Sequence, residues 1–106
     1  MKDVQELLDL LTKRKLSVAI LTALHDGPLR YTTLQHVVSR IKDEPVHSRT
    51  LTDTLNYLCS EHLVEHHYQG ADYGLTVGGE KLVDLLAEIR RWSRQHRGSS
   101  DGRPAR

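Results

Sequence analysis

The sequence predicts a mainly α-helical chain with one small β-hairpin. Three observations carry this. Apolar residues recur at i, i+3 and i+4 spacing in five separate stretches, the spacing of one face of a helix. A brief polar connection, Lys42-Asp43-Glu44-Pro45, joins two of these stretches into a helix-turn-helix arrangement. Two short β-prone runs, Val64 to Tyr68 and Tyr73 to Leu75, flank the turn signal Gln69-Gly70-Ala71-Asp72. At 106 residues, one domain is expected. Its bounds are read as 1–97, with 98–106 as a disordered tail rich in Gly, Ser and Arg.

The elements follow in order. Residues 3–11 place Val4, Leu7, Leu8 and Leu11 on one stripe, with Asp3 and Glu6 where the helix dipole favours them. A helix this short is marginal alone, so its stripe needs something to pack on, and a second subunit is one candidate. A second helix is read from near Thr12 to His25, with Leu16, Ile20, Ala23 and Leu24 inward. Asp26-Gly27-Pro28 ends it, with Gly27 expected in the left-handed position after the helix. Leu29-Arg30-Tyr31 reads as a brief extended segment. Leu34, Val37, Val38 and Ile41 define the third helix, with Thr32 or Thr33 as its cap.

The fourth helix occupies 48–59. Pro45 disfavours helix at the residue before it, and Ser48 is a candidate N-cap. Leu51, Leu55 and Leu58 recur at helical spacing. If they are buried, the opposite face carries Arg49, Thr50, Asp53, Asn56 and Tyr57, with Thr52 at its edge. These are groups suited to base edges and phosphates. The last helix is capped by Thr76 and runs to about His96, with Leu82, Val83, Leu85, Leu86, Ile89 and Trp92 on its apolar side. Gly78 and Gly79 are poor helix formers, and their place in its first turn suggests close approach to another backbone.

Composition sets limits. The net charge is +1 with histidines neutral, so the chain lacks the strongly basic balance of many nucleic-acid binders. The positive charge is clustered, at Lys13, Arg14 and Lys15 and again at Arg90, Arg91, Arg94 and Arg97. Cys59 is the single cysteine, so neither an internal disulfide nor a Cys-based zinc cluster can form within one chain. No apolar window reaches the length of a membrane span, and the amino terminus lacks an apolar signal core. A cytoplasmic location is expected.

The order helix, helix, helix-turn-helix, hairpin, long helix is that of a winged-helix domain, and particular runs go further. Leu24-His25-Asp26-Gly27-Pro28-Leu29-Arg30-Tyr31-Thr32-Thr33-Leu34 resembles the L-x-x-G-P-x-R-F-x-x-L stretch of HxlR-type transcriptional regulators. Leu51-Thr52-Asp53-Thr54-Leu55-Asn56-Tyr57-Leu58 looks like their recognition helix, L-T-x-x-L-x-x-L. Glu61-His62-Leu63-Val64-Glu65 is similar to their D-G-L-V-E-R, and Tyr73 to Gly79 to their Y-x-L-T-x-x-G. The likeness spans residues 12–96. It departs from the family at Arg14-Lys15-Leu16, where a G-K-W is usual. It departs again in lacking a cysteine before Cys59, and in a wing tip without Lys or Arg.

The resemblance implies a winged helix-turn-helix with N- and C-terminal dimerisation helices. It implies a homodimer that binds a palindromic double-stranded DNA operator, its half-sites about 34 Å or a multiple apart. Arg49 is the leading base or phosphate contact. Ser48, Thr50, Thr52, Asn56, Tyr57, Arg30 and Lys15 join it. Tyr57 either bonds phosphate or shields the core edge. Asp53 either reads a cytosine amino group, orients Arg49, or faces away. The expected dimer contacts are Val4, Leu7, Leu8, Leu11, Leu86, Ile89 and Trp92.

A repressor acting by promoter occlusion is the expected role, with a possible small-molecule effector held between the dimer helices and the core, where histidines and Tyr31 or Tyr68 supply polar contacts. The alternative is a winged-helix module for protein or ligand binding with weak or no DNA binding. No nucleophile–base pair, phosphate loop or carboxylate pair has recognisable spacing, so no enzyme is expected. No cofactor is expected either. His66 and His67 are consecutive in a strand and point to opposite faces, and no metal site is expected. Cys59 reads as a small buried hydrophobe rather than a redox switch.

Overall fold

The computed structural model describes residues 4–98, with the side chains of Leu7, Lys13 and Arg97 outside the description. The elements are α1 (Val4–Lys13), α2 (Ser17–Ala23), β1 (Leu29–Arg30), α3 (Tyr31–Lys42), α4 (Ser48–Ser60), β2 (Val64–His67), β3 (Asp72–Leu75) and α5 (Val77–Ser93). A five-residue π-helical turn, Arg94–Gly98, follows α5. The expected tail, but for Gly98, lies outside the described residues. Within those residues no helix is long and apolar enough to cross a membrane.

The core is built by one face of each inner helix. Ile20, Leu21 and Leu24 from α2 and its cap meet Leu34 and Val38 of α3, all at most 1 % exposed. Leu51, Leu55 and Leu58 of α4 complete it with no exposure at all. Each such side chain contributes about 1.5–3 kcal/mol by leaving water. These leucines fix which way α4 faces.

Several boundaries differ from expectation for local reasons. The first helix continues through Lys13, and α2 begins only at Ser17, after a bend at Arg14 to Leu16. Leu10, absent from the expected stripe of α1, is its buried residue, whereas Val4 and Leu8 stand 72 % and 49 % exposed. The α2 helix ends at Leu24, and Gly27 beyond its cap takes φ +140, a backbone conformation that residues with side chains rarely adopt. Neither Thr32 nor Thr33 caps α3. Arg30 occupies the cap position without a side-chain bond. Ser48 likewise is the first residue of α4 and not its cap, which is His47.

The turn between α3 and α4 is held from inside. Asp43 takes the left-handed conformation at φ 59 and closes α3. Gln35 donates to the Val46 carbonyl at 2.8 Å, and the Val46 amide donates to Ser39 Oγ at 3.0 Å. With the Val46 side chain also buried, the entry to α4 is set by three contacts.

The hairpin forms as expected and gains a third strand. The order is β1-β3-β2, antiparallel throughout, because Leu29-Arg30 pairs with Tyr73 and Asp72. After α4, the chain turns through His62 at φ 62. His62 N donates to Cys59 O at 3.0 Å and Leu63 N to Leu58 O at 3.1 Å, a Schellman closure. Thr76 caps α5 as expected, accepting from the Gly79 amide at 3.0 Å while its hydroxyl donates to the His62 carbonyl at 2.7 Å. A side chain at Gly79 would collide with the Leu63 carbonyl oxygen, which is why this turn of the helix needs a glycine. Gly78 has only ordinary clearance and carries no such requirement.

Candidate nucleic-acid interface

With its leucines inward, α4 turns Ser48, Arg49, Thr50, Thr52, Asp53 and Asn56 outward, all exposed. The amides of its first turn precede the first intrahelical bond, Leu51 N to His47 O at 3.0 Å, and His47 provides no side-chain cap. A helix end of this kind favours anions. Lys15 from the α1–α2 bend and Lys42 from the end of α3 flank it. Together with His47 and Thr50 they line a shallow cleft of about 430 Å³. Lys42 and His47 were not legible as part of this surface, because the sequence shows them only as connection residues.

The remaining expected contacts divide. Arg30 is exposed on β1 and Lys15 on the bend, both free to meet a phosphate. Thr52 is drawn to the sheet side: Tyr31 Oη donates to the Ser48 carbonyl at 2.9 Å, so Thr52, 3.1 Å from the same oxygen, must supply the proton of that second bond. Thr52 keeps only acceptor capacity for a base. Tyr57 is half-buried against the core and lies under the Arg14 guanidinium, 4.5 Å from the ring centre. Asp53 is exposed, and among the described residues no ion pair joins it to Arg49.

The wing presents two faces. On one, His66 stacks on Tyr73 with centroids 4.2 Å apart and planes 5° from parallel, and Tyr68 stands 84 % exposed beside it. This face and the end of α4 enclose a cleft of about 380 Å³ lined in part by Asn56, Cys59 and His62. Cys59 is half-buried, and burial pushes its thiol pKa up, away from the thiolate form. The hollow between α2 and α5, lined by Thr22, His25, Val83, Leu86, Ala87 and Arg90, is only about 90 Å³. That is below the range of about 300–1,000 Å³ typical of ligand sites. Among the described residues, no group of three or more His, Cys, Asp or Glu side chains could hold a metal ion.

Of the expected dimer residues, Val4, Leu8, Ile89 and Trp92 are exposed, while Leu11 and Leu86 pack against the core. The Leu7 side chain lies outside the description. Leu85, 51 % exposed, falls on the same stripe of α5 as Ile89 and Trp92.

A helix-turn-helix with an outward second helix, followed by a hairpin that recruits a strand from before the motif, defines a winged helix-turn-helix protein. Its chemistry is that of a DNA-binding regulator. The chain belongs to the HxlR-like helix-turn-helix family, whose model matches residues 10–101. Its fold is similar to that of the quinone-bound YodB of B. subtilis, at 23% identity and TM-score 0.72, covering 86% of this chain and 96% of that one. It is also similar to a MarR-family transcriptional regulator from Porphyromonas gingivalis W83, at 20% identity and TM-score 0.68, covering 91% and 97% of the two chains. No curated protein matches the chain.

Proposed function

We propose that this chain is a homodimeric, cytoplasmic transcriptional repressor in which residues 1–97 form one DNA-binding and dimerisation domain. Two copies of α4 enter successive major grooves of a palindromic operator and occlude a promoter. The observation that carries this reading is the outward polar face of α4 on a fully buried leucine back, with Lys15 and Lys42 beside its N-terminal end. Arg49 reads or grips the duplex. Thr50, Asp53 and Asn56 lie along the same face, and Lys15 and Arg30 hold the backbone. A small-molecule effector belongs to the reading as well. The cleft between α4 and the wing is large enough for one and includes Asn56, so occupancy there reaches the DNA-facing helix directly.

The test is a DNA-shift titration on genomic fragments, with salt varied and Arg49→Ala alongside. Binding should weaken steeply with salt, and the substitution should cost about 1–3 kcal/mol on the preferred fragment. Binding indifferent to both would instead favour a winged-helix module for protein or ligand.

A further inference from the structure

The outer face of the wing carries an ionisable cluster that the α4 surface does not use. Cross-strand partners share a face of a sheet. The pairs Arg30–Asp72 and Asp72–His67 therefore set Arg30, Asp72 and His67 side by side across three strands. Glu65, two residues before His67, lies on the same face. His67 Nδ1 is 2.7 Å from Asp72 Oδ1, and His67 Nε2 is 3.0 Å from Glu65 Oε2.

Carboxylates only accept hydrogen bonds. A neutral imidazole has one N–H and one bare lone pair, so it satisfies one of these contacts and opposes a lone pair to the carboxylate at the other. Only the imidazolium donates to both. We propose that His67 is a proton-operated clasp on the wing. Protonated, it ties Glu65 to Asp72 and neutralises the outer face. Deprotonated, it releases Glu65 and leaves a surplus negative charge facing the DNA backbone.

Glu65 is the carboxylate released, because its contact is the longer and its side chain is 54 % exposed against 28 % for Asp72. Asp72 also keeps Arg30 as its neighbour across the sheet. The groups facing His67 are Glu65 from its own strand, Asp72 from β3 and Arg30 beyond it on β1; Gly74, with the Pro28 ring near it, is uncharged. With Arg30 positive and both carboxylates ionised, the face totals −1 when His67 is neutral and 0 when it is charged. The side-chain hydrogen bonds to Glu65 and then Asp72 raise the His67 pKa above its ordinary 6.5, against a smaller opposing effect of burial. The clasp is thus fully present below about 6.5 and is lost as pH rises through the raised value.

The inference rests on the DNA-binding reading above, and its test separates the two. Affinity for a mixed-sequence DNA duplex at low salt would be measured from about pH 5.5 to 8.5, across the histidine range, for the wild type, His67→Gln and Arg49→Ala. Removing one net negative charge beside phosphates strengthens binding, and salt screens the effect. The wild type should therefore gain about threefold more affinity on acidification than His67→Gln, with a correspondingly steeper dependence on salt. An NMR titration of the His67 ring in the free protein should give a midpoint above the ordinary value, lowered by Glu65→Gln. Parallel pH curves for wild type and His67→Gln, with binding still sensitive to Arg49→Ala, overturn the clasp alone. So does an ordinary or lower His67 midpoint. Binding that is absent at every pH, or unaffected by Arg49→Ala, overturns the DNA reading and the clasp with it.

Discussion

The guanidinium of Arg14 sits over the ring of Tyr57, 4.5 Å from its centre. The contact joins the α1–α2 bend to α4, and so fixes where Lys15, the next residue, stands relative to Thr50. A cation–π pair at a partly exposed site is worth about 0.5–1 kcal/mol. Arg14→Ala should lower stability by about that amount. Tyr57→Phe, which keeps the ring, should leave it unchanged. Chemical denaturation of Arg14→Ala, Tyr57→Leu and their combination gives the coupling directly, because each change removes the contact, with Tyr57→Phe as the control.

His62 closes α4 in a left-handed conformation at φ 62. That conformation favours glycine, which has no Cβ to crowd the following carbonyl. His62→Gly should raise the unfolding free energy by about 1 kcal/mol, the scale of the left-handed penalty for a side-chain-bearing residue. A thermal melt checks it, and an unchanged or lower midpoint would show that the histidine ring contributes something the closure does not require.

Leu85, Ile89 and Trp92 leave one side of α5 apolar and more than half exposed, and Val4 and Leu8 are likewise exposed on α1. If this stripe meets a second copy, Ile89→Glu places an unpaired charge in that contact. The dimer constant should weaken at least about tenfold, or 1.4 kcal/mol. Sedimentation reads the mass, and the monomer should keep its helical circular dichroism because Ile89 lies outside the buried core.

Much of this was legible beforehand, for reasons tied to particular residues. Leu51, Leu55 and Leu58 announce the buried side of α4, and hence its polar face, because three leucines at helical spacing must share one side of a helix. Thr76 declares the start of α5, since a threonine hydroxyl can satisfy an amide one turn on. Glycine at 79 hints at backbone contact.

What lies beyond local sequence is what distant segments do to one another. Leu10 rather than Leu8 is buried in α1 because the bend at Arg14 to Leu16 sets the rotation of that helix against the core. His47 rather than Ser48 holds the cap of α4, because Gln35 and Ser39 grip Val46 and so decide where the helix begins. The third strand, the meeting of Lys15 with Lys42, and the seating of His67 between two carboxylates all depend on pairings across the chain. Periodicity and capping are properties of neighbouring residues, so the chain alone determined that these helices form, the buried sides of α3 and α4, and the helix-turn-helix. Proximity between residues far apart in sequence is created only by packing, so the tertiary structure decided which charges stand together and what surface they make.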